Sequence, residues 1–558
     1  MTLLIQAAGI THSFGGNRIF HDLSFEVREG DRVALIGENG TGKSTLFRIM
    51  ARQLNPNAGV VTYKRNLALG YLRQDSEVNP EQTLRQTVSS AGADLLTLEA
   101  RMRALEARMA TADATALTAV LDEYASCQER FDASDGYGHA ARVATVLAGL
   151  GVAEERWDLP VGPMSGGERK MVGLARLLIE APEVLLLDEP DNHLDLAGKA
   201  WLEGYIAAYR GAVAVISHDR YFLDRAVNRI FELEDGTIYP YVGGYTAYRA
   251  AKQERLIRQA QLYDQRQREL KVLKRSAEQL TEWAKQNPKF AGRAQNRRRM
   301  LASEQADLAA IPTPVLNRER IRVDLEAQRG GALVLELRGV AKSYGDRAVL
   351  RPFDLVVGHG ERVGLVGVNG SGKTTLLRLV LGHEAPTAGT LRLGSTIKIG
   401  YYAQEHETLD LLSIPMDIVR GIKPMTEERA LSFLHGLLFS REDAATPVGR
   451  LSGGERSRLQ IATLILGGAN LLLLDEPTNN LDIASKEVLE EALLGFEGTI
   501  VAISHDRYFL DRLAGRILET DDGAVRDYPG GFSYYDEHRG RGKELTIAAP
   551  ASQRRGRA

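Results

Sequence analysis

The 558-residue chain contains the same nine-residue motif twice, and this duplication indicates that most of the sequence folds as two similar units. The motif SHDRYFLDR occupies Ser217–Arg225 and again Ser504–Arg512. A glycine-rich loop also recurs, as GENGTGKS at Gly37–Ser44 and as GVNGSGKT at Gly367–Thr374. Because both motifs recur in the same order, we expect two homologous units rather than one large domain.

The spacing between shared motifs locates an insertion in the first unit. Gln74 and Gln404 are 330 residues apart, whereas Ser165 and Ser452 are 287 apart. The first unit therefore carries 43 extra residues between Gln74 and Ser165. We predict a first unit at 1–243 with an inserted segment at 81–137, a connector at 244–332, a second unit at 333–537 and a basic, disordered tail at 538–558.

Short apolar runs alternate with helix-forming stretches in both units. Arg32–Ile36 and Arg362–Val366 are rich in apolar and β-branched residues and lead into the two glycine loops. Strands that alternate with helices predict an α/β fold with a mostly parallel sheet. Further strands are predicted at Val184–Leu187, Ala212–Ile216, Leu471–Leu474 and Thr499–Ile503.

The glycine loops match the phosphate-loop pattern GxxxxGK followed by Ser or Thr. Their glycines let backbone N–H groups turn onto phosphate oxygens, the lysine adds a positive charge, and the hydroxyl is offered to Mg²⁺. Two matches, each after a strand and before a helix, make coincidence a poor explanation. The candidate phosphate-site residues are Gly37, Asn39, Gly40, Gly42, Lys43, Ser44, Thr45, Gly367, Asn369, Gly370, Gly372, Lys373, Thr374 and Thr375.

A pair of carboxylates follows a leucine run in each unit, Asp188–Glu189 and Asp475–Glu476. Mg²⁺ is held by few protein groups, and the aspartate is placed to supply one of them. The glutamate is expected to face the other way along the strand and to position the attacking water. The alternative is two acidic residues that cap a loop.

His218 and His505 each follow a serine at the predicted end of a strand. An imidazole there could contact the γ-phosphate, whether neutral or charged. A single histidine at a strand end is more often structural, but the matched pair favours a functional role.

With these motifs assembled, the chain resembles an ATP-binding-cassette (ABC) protein, and MSGGE at 164–168 and LSGGE at 451–455 resemble that family's signature motif. The resemblance implies two ATP molecules and Mg²⁺ sandwiched head to tail between the units. Site one would join Gly37–Thr45, Gln74, Asp188, Glu189 and His218 to Ser452, Gly453 and Gly454. Site two would join Gly367–Thr375, Gln404, Asp475, Glu476 and His505 to Ser165, Gly166 and Gly167.

The same resemblance assigns further roles. Both glutamates and both histidines would be catalytic, and Phe14 and Tyr344 would stack on adenine, with core packing as the alternative. Asp191 departs from the family, which usually has threonine there. A third carboxylate beside Asp188 and Glu189 could make it more costly to place a triphosphate there, but we expect Asp191 to cap the next loop. The implied metal ligands are Ser44, Gln74 and Asp188 in site one and Thr374, Gln404 and Asp475 in site two.

Within that superfamily the chain resembles the ABC-F family, whose members act on the ribosome. The residues that carry this resemblance are EPDNHLD at 189–195, EPTNNLD at 476–482 and the doubled SHDRYFLDR. The family has a helical arm in the first cassette and a linker that reaches toward the peptidyl-transferase centre and the P-site tRNA. The resemblance therefore implies a ribosome-bound translation factor or a factor that protects ribosomes from antibiotics, with rRNA and tRNA as partners.

The sequence of the inserted segment predicts a helical hairpin. Apolar residues recur at helical spacing before and after a possible turn at Thr111–Ala114. Cys127 lies on one apolar face, where a packing role is expected. The two apolar faces consist of Leu95, Leu98, Met102, Leu105 and Met109, and of Leu117, Val120, Tyr124, Cys127 and Phe131.

The connector predicts a long basic hairpin. Tyr245–Lys285 contains neither glycine nor proline, Asn287–Pro288 breaks the helix, and Ala294–Ala310 can return as a second helix. Residues 250–310 contain 14 Lys/Arg against 7 Asp/Glu, in a chain of net charge −3. Basic residues interleaved with Trp283 and Phe290 suit RNA, although a solvated spacer is the alternative. The candidate RNA-binding residues are Lys285, Lys289, Arg293, Arg297, Arg298 and Arg299.

The composition bears on other classes of protein. The single cysteine excludes an internal disulfide and a cysteine-rich zinc site, and it favours the reducing cytoplasm. Apolar runs such as Leu471–Leu474 are far shorter than the roughly 18 residues of a membrane helix. Two alternatives remain, a DNA-repair ATPase and the ATPase subunit of a transporter, and the basic hairpin argues against the transporter. We expect a monomer without membrane contact.

Overall fold

The computed structural model describes residues 2–72, 79–110, 114–133, 136–309, 333–403, 409–437, 439–479 and 481–545. The chain divides into two compact units, one of Met1–Pro240 with Arg322–Ala558 and one of Tyr241–Ile321. Both cassettes belong to the compact unit of Met1–Pro240 with Arg322–Ala558. Gln74, Gln404, the turn residues 111–113, the segment 310–332 and the tail after residue 545 lie outside the described residues.

The first cassette has strands β1–β9 and helices α1–α8. The strands are β1 (Leu3–Phe14), β2 (Asn17–Arg28), β3 (Arg32–Ile36), β4 (Ala58–Tyr63), β5 (Leu69–Leu72), β6 (Val184–Asp188), β7 (Ala212–Ile216), β8 (Arg229–Glu234) and β9 (Thr237–Val242). The helices are α1 (Lys43–Met50), α2 (Leu84–Ser89), α3 (Ala93–Met109), α4 (Ala114–Ala133), α5 (His139–Gly149), α6 (Gly166–Glu180), α7 (Leu196–Ala208) and α8 (Arg220–Ala226).

The connector contains helices α9 (Tyr245–Gln286) and α10 (Ala291–Ala309), with a 3₁₀ turn, Pro288–Phe290, between them. The second cassette then repeats the plan of the first. Its strands are β10 (Leu333–Tyr344), β11 (Arg347–Gly358), β12 (Arg362–Gly367), β13 (Ala388–Leu393), β14 (Ile399–Tyr402), β15 (Leu471–Asp475), β16 (Thr499–Ile503), β17 (Arg516–Asp521), β18 (Ala524–Tyr528) and β19 (Lys543–Glu544). Its helices are α11 (Lys373–Leu381), α12 (Pro415–Ile422), α13 (Glu427–Gly436), α14 (Arg441–Ala444), α15 (Gly453–Leu466), α16 (Ile483–Leu494), α17 (Arg507–Leu513) and α18 (Phe532–His538).

Each cassette is built on a mostly parallel sheet, as predicted. The strand order is β5-β6-β7-β3-β8-β9 in the first cassette and β14-β15-β16-β12-β17-β18-β19 in the second. Strands β6, β7, β15 and β16 are buried along their whole length, which explains their continuous apolar sequences. Because parallel strands end at the same edge, this order brings the glycine loop, the carboxylates and the histidine of each cassette together.

An antiparallel sheet packs on the core of each cassette and was not predicted. Its order is β2-β1-β4 in the first cassette and β11-β10-β13 in the second. Apolar residues of β1 and β2, such as Ile5 and Phe20, are buried in the same cluster as Val33 of β3 and Phe47 of α1. This packing fixes the glycine loop between the two sheets.

The inserted segment is a helical hairpin, as the apolar spacing predicted. Helices α3 and α4 bury Met102, Leu105, Val120, Cys127 and Phe131 between them. Cys127 fills this small core, and Ala114 begins α4 rather than belonging to the turn.

The tail prediction was wrong for its first residues. Lys543 and Glu544 form β19, which pairs with β18 and extends the sheet of the second cassette. Leu545 N donates to Val525 O at 2.7 Å. Residues 538–545 therefore belong to the folded cassette.

Candidate functional site

The first glycine loop joins β3 to α1 and depends on its glycines. Gly42 is the N-cap of α1, with a left-handed φ of 98°, and a Cβ there would lie 2.2 Å from Ile19 Cγ2. Lys43 folds back over the loop, and its Nζ donates to the carbonyl oxygens of Gly37 and Glu38 at 2.8 Å each. The loop is therefore held in a closed curve, with the start of α1 directed at its centre.

The second glycine loop repeats this geometry. Gly372 has a φ of 99°, and Lys373 Nζ donates to the carbonyl oxygens of Gly367 at 2.8 Å and Val368 at 2.9 Å. Burial lowers the pKa of Lys43 and of Lys373. A buried ammonium group whose charge is not fully balanced favours an anion beside it, which fits a phosphate.

The aspartates at the ends of β6 and β15 lie beside the hydroxyls of the glycine loops. Burial raises the pKa of Asp188, and a hydrogen bond from Ser44 partly offsets this effect. Burial, with the neighbouring Glu476, raises the pKa of Asp475 to about 6, partly offset by a hydrogen bond from Thr374. Asp188 Oδ2 is buried and has no hydrogen-bond partner within the described residues. A carboxylate beside a hydroxyl supplies oxygen ligands, which fit a divalent cation such as Mg²⁺.

The two candidate catalytic glutamates do not lie in the strands, so the prediction that they face the other way along a strand was wrong. Glu189 and Glu476 follow the last strand residue with left-handed φ values of 49° and 51°. Non-glycine residues rarely adopt this conformation, and it often marks a functional site. The turn brings Glu189 Oε1 within 3.9 Å of His218 Nε2 and Glu476 Oε1 within 3.5 Å of His505 Nε2.

Both histidines lie two residues beyond their strands, since β7 ends at Ile216 and β16 ends at Ile503. Burial is the largest cause that lowers the pKa of His218 and of His505 to about 3, and a phosphate-loop lysine adds to it in each case. Both imidazoles are therefore neutral near pH 7. A neutral imidazole keeps one N–H donor that can point at a phosphate oxygen.

The candidate adenine-stacking aromatics are not core residues. Phe14 is 49% exposed and Tyr344 is 47% exposed. The core-packing alternative is therefore wrong for both. Tyr344 lines a cavity between the two cassettes.

A cavity of about 910 Å³ lies between the two cassettes, a size within the range of small-molecule sites. The second cassette contributes Lys373, Glu476 and His505 to its wall, and the first contributes Ser165 and Gly167. These are the residues that the sequence grouped into site two. The signature serine is the N-cap of α6, where it forms a capping box with Glu168, so the start of this helix faces the cavity.

Contacts between the cassettes are also made at site one. Asn39 N of the first glycine loop donates to Asp482 Oδ2 of the second cassette at 3.0 Å. On the opposite side, Asn369 Nδ2 donates to His193 O at 3.4 Å. Ser452 caps α15 with Glu455, as Ser165 caps α6. The two cassettes thus meet head to tail with pseudo-twofold symmetry.

Asp191 does not cap the following loop, so that prediction was wrong. The cap of α7 is Asp195, whose Oδ1 accepts from Gly198 N at 2.9 Å. Asp191 is buried beside Ser217, Lys199 and Asp219, and burial is the main cause that raises its pKa. Its counterpart Thr478 lies 3.3 Å from Ser504, oxygen to oxygen.

A buried set of charged residues lies between the cassettes and was not predicted from the sequence. Lys199, Glu203 and Arg220 of the first cassette have counterparts exactly one repeat later, at 287 residues, in Lys486, Glu490 and Arg507. Arg220 pairs with Glu490 and Arg507 pairs with Glu203, each across the interface. The constant offset of 287 residues was the sequence signal for these positions.

The connector, from here on called the linker, contains a second candidate site. Helices α9 and α10 pack together over small residues, with Ala277 and Ala294 buried. At the bend, the rings of Trp283 and Phe290 lie 5.7 Å apart, centroid to centroid, and Trp283 is 46% exposed. Within the described residues, Lys285 pairs with Glu282, whereas no ion pair is found for the other predicted residues, Lys289, Arg293, Arg297, Arg298 and Arg299. No helix in the described parts of the chain is long and apolar enough to cross a membrane.

Comparisons with known proteins agree with this geometry. A family model described as ABC transporter matches residues 20–192 and 350–479, and a second model with the same description matches residues 231–314. The chain is 36% identical to the putative ATP-binding protein YdiF of Bacillus subtilis, over 97% of this chain and 84% of that protein. It is also 36% identical to the energy-dependent translational throttle protein EttA of Escherichia coli K12, over 96% of this chain and 94% of that protein.

Solved structures share the fold at low sequence identity. An RNase-L inhibitor matches with a TM-score of 0.58 and 20% identity, over 94% of this chain and 90% of that one. An archaeal ribosome recycling factor, aABCE1, matches with a TM-score of 0.60 and 19% identity, over 98% of this chain and 96% of that one. The tandem cassettes, the arm, the linker and the similarity along nearly the whole chain lead to one conclusion: the protein belongs to the ABC-F family of tandem ATP-binding-cassette ATPases.

Proposed function

We propose that this protein is a ribosome-binding ATPase of the cytoplasm that acts on translation through its linker, as a monomer. The observation that carries the proposal is the basic, aromatic bend of the linker, on a chain whose overall charge is −3. Relatives named energy-dependent translational throttle protein, 35–36% identical over nearly the whole chain, support it. Whether the protein regulates translation or protects ribosomes from antibiotics, the same surface is required.

ATP is bound and hydrolysed at two composite sites. In each, the backbone of the glycine loop and its lysine hold the phosphates, an aromatic residue stacks on adenine, and the signature loop of the opposite cassette closes over the γ-phosphate. Mg²⁺ supplies charge neutralisation at the transferring phosphate when it is bound. Its ligands in this proposal are Ser44, Gln74 and Asp188 in site one and Thr374, Gln404 and Asp475 in site two.

The glutamates act as the groups that position the attacking water. Glu476 is oriented by the His505 backbone, whose N–H donates to Glu476 Oε2 at 3.2 Å. Glu189 is oriented by Asn192 Nδ2, which donates to its Oε2 at 2.8 Å. The neutral imidazoles donate to the γ-phosphate, because their lowered pKa leaves them uncharged but still with one N–H.

The linker converts the nucleotide state into an action on RNA. It is covalently joined to both cassettes, so a change in their spacing on ATP binding moves its two ends. The basic residues at its bend, all exposed except the half-buried Arg297, attract the phosphate backbone, and Trp283 offers a face for a splayed base. Hydrolysis then allows the cassettes to separate and the protein to leave.

The experiment uses the double change Glu189→Gln with Glu476→Gln. This variant should bind ATP, remain closed and co-sediment with ribosomes, because the water is no longer activated while the phosphates are still held. Binding to ribosomes should require ATP. If the variant ignores ribosomes and instead retains DNA or membrane vesicles in the presence of ATP, the proposed function is wrong.

The linker is tested in the same background by Arg297→Ala, Arg298→Ala and Arg299→Ala together. Ribosome affinity should fall, and the negative slope of log affinity against log salt should become shallower by about 2, since each phosphate contact contributes roughly 0.7–0.9 to its magnitude. The matched control removes three exposed charges from the middle of α9, with Lys271→Ala, Lys274→Ala and Arg275→Ala. An equal effect of both triple variants would indicate a solvated spacer rather than a binding tip.

A further inference from the structure

Two buried lysines cross the interface between the cassettes in a symmetric arrangement. Lys199 of α7 donates from Nζ to Asp219 Oδ2 of its own cassette at 2.9 Å and to His505 O of the second cassette at 3.2 Å. Lys486 of α16 donates to Asp506 Oδ2 at 2.9 Å and to His218 O of the first cassette at 3.0 Å. We call these contacts the lysine bridges. Each one reaches the residue that contributes the candidate catalytic imidazole of the other cassette.

Each bridge is fixed on its own side by a helix cap. Asp219 Oδ1 accepts from Tyr221 N at 3.0 Å and from Phe222 N at 3.1 Å, which caps α8. Its second oxygen is therefore free to hold Lys199. Asp506 caps α17 through Phe509 N at 3.0 Å and holds Lys486 in the same way. The lysines are thus held in one direction, towards the opposite cassette.

Both bridging lysines are buried, so each needs hydrogen-bond partners in well-defined positions. Lys199 and Lys486 are 8% and 7% exposed, and a buried ammonium group is tolerated only with partners of good geometry. Burial alone would lower the pKa of Lys199, but Asp219 and Asp191 outweigh it and raise the pKa. Lys199 therefore stays charged and donates strong hydrogen bonds.

The carbonyl that each lysine holds belongs to the same residue as the imidazole. Fixing His505 O limits how the backbone of that loop can move, and with it the amide N–H that orients Glu476. The distance of 3.5 Å between His505 Nε2 and Glu476 Oε1 depends on the same backbone. Lys199 of the first cassette therefore bears on the positions of both His505 and Glu476, and Lys486 of the second cassette bears on the position of His218 through its carbonyl oxygen.

We propose that Lys199 and Lys486 are positioning residues for ATP hydrolysis in the opposite cassette, with Lys199 holding His505 for site two and Lys486 holding His218 for site one. The inference rests on the two composite sites proposed above. It adds a second requirement for hydrolysis: besides the signature loop, the opposite cassette must supply its bridging lysine. A nucleotide bound to an undocked cassette would then be held without being hydrolysed.

The test measures ADP formed in a single turnover, with two ATP supplied per chain, so that reopening of the cassettes does not matter. The wild type should form two ADP per chain, and the Glu189→Gln and Glu476→Gln variants should each form one at a normal rate. If the single variants form two or none, the two-site function fails, whatever the lysines do. This comparison separates the proposed function from the inference.

The lysines are then changed within each single-glutamine background. Lys199→Met should slow the remaining hydrolysis at least about tenfold in the Glu189→Gln background, where only His505 serves, and less than about twofold in the Glu476→Gln background. Lys486→Met should give the reverse pattern, and the KM for ATP should stay unchanged in both. Equal slowing in the two backgrounds, or no slowing, would overturn the inference.

Two controls define what a loss of structure looks like. Glu490→Gln weakens the buried pair with Arg220 across the same interface without touching either histidine carbonyl, and it should affect both backgrounds equally. Lys64→Met removes an exposed lysine and should change neither rate. If Lys199→Met does not fold, Lys199→Arg keeps the charge and donors and should retain most of the site-two rate. A folded, ATP-binding Arg variant that has lost hydrolysis equally in both backgrounds would overturn the inference.

Discussion

The two candidate sites have the same kinds of loop but hold their glutamates in different ways. The Glu476 side chain is 10% exposed and bonds to a backbone amide, whereas the Glu189 side chain is 30% exposed and bonds to the side chain of Asn192. A backbone donor is fixed by the fold, but a side-chain donor can rotate away. The difference indicates that Glu476 is held more firmly than Glu189.

A second difference lies behind the glutamates. The first cassette buries the carboxylate of Asp191 where the second buries the hydroxyl of Thr478. Lys199 therefore has the Asp191 carboxylate near it besides its hydrogen-bond acceptor Asp219, whereas the acceptor of Lys486 is Asp506 and the position of Asp191 is taken by Thr478. A duplicated motif set can thus preserve its chemistry while its supporting residues diverge.

The largest expected effect comes from the glutamates themselves. Glu189→Gln and Glu476→Gln should each reduce hydrolysis at their own site by about 10²–10⁴-fold, the usual contribution of a general base. If the sites are equivalent in chemistry, the two losses measured by single turnover should agree within a factor of a few. A loss confined to Glu476→Gln would show that site one is only a binding site.

A smaller effect should distinguish how the glutamates are held. Asn192→Ala removes the side-chain donor to Glu189 and should slow site one by about tenfold or more, since a hydrogen bond to a charged group contributes about 1.5–3 kcal/mol. Asn479→Ala in the second cassette should slow site two less, because Glu476 keeps the amide of His505. Equal slowing by both variants would contradict the comparison. Single-turnover rates in the opposite single-glutamine backgrounds give the answer.

The smallest effect is on stability. Because the pKa of Asp191 is raised, the folded protein retains a proton that the unfolded chain would release. Asp191 therefore lowers the free energy of unfolding as the pH rises above the ordinary pKa of an aspartate. Asp191→Thr should therefore raise Tm, and by more at pH 8 than at pH 5, as thermal unfolding at the two pH values would measure. Thr478→Asp should lower Tm at pH 8. An Asp191→Thr variant that is less stable at pH 8 would show that Lys199 needs both carboxylates.

Much of the scaffold followed from local patterns. Buried parallel strands such as β7 and β16 were located to the residue, because continuous β-branched runs have few other uses. The linker break at Asn287–Pro288 was also found, since proline at that position cannot continue the helix. The long antiparallel strands β1 and β2 were missed, because irregular pairing with register shifts blurs their alternation.

The details of the site could not be predicted from the sequence, because tertiary contacts determine them. Aspartate is a common cap, yet Asp191 lies four residues before the true cap, and only packing against Lys199 shows its environment. The left-handed backbone of Glu189 could not be predicted either, since glutamate does not favour it. The lysine bridges carried a sequence signal, the constant repeat offset, but a lysine in an α-helix has no distinctive local pattern.

The buried pairs Arg220–Glu490 and Arg507–Glu203 also bear on how the protein is made. Their partners lie 270 and 304 residues apart in the chain. During synthesis the first cassette is complete long before Glu490 and Arg507 emerge, so this face stays hydrated and charged while the linker is translated. A charged, hydrated surface favours a soluble, monomeric chain. These pairs can therefore form only after the second cassette has been synthesised.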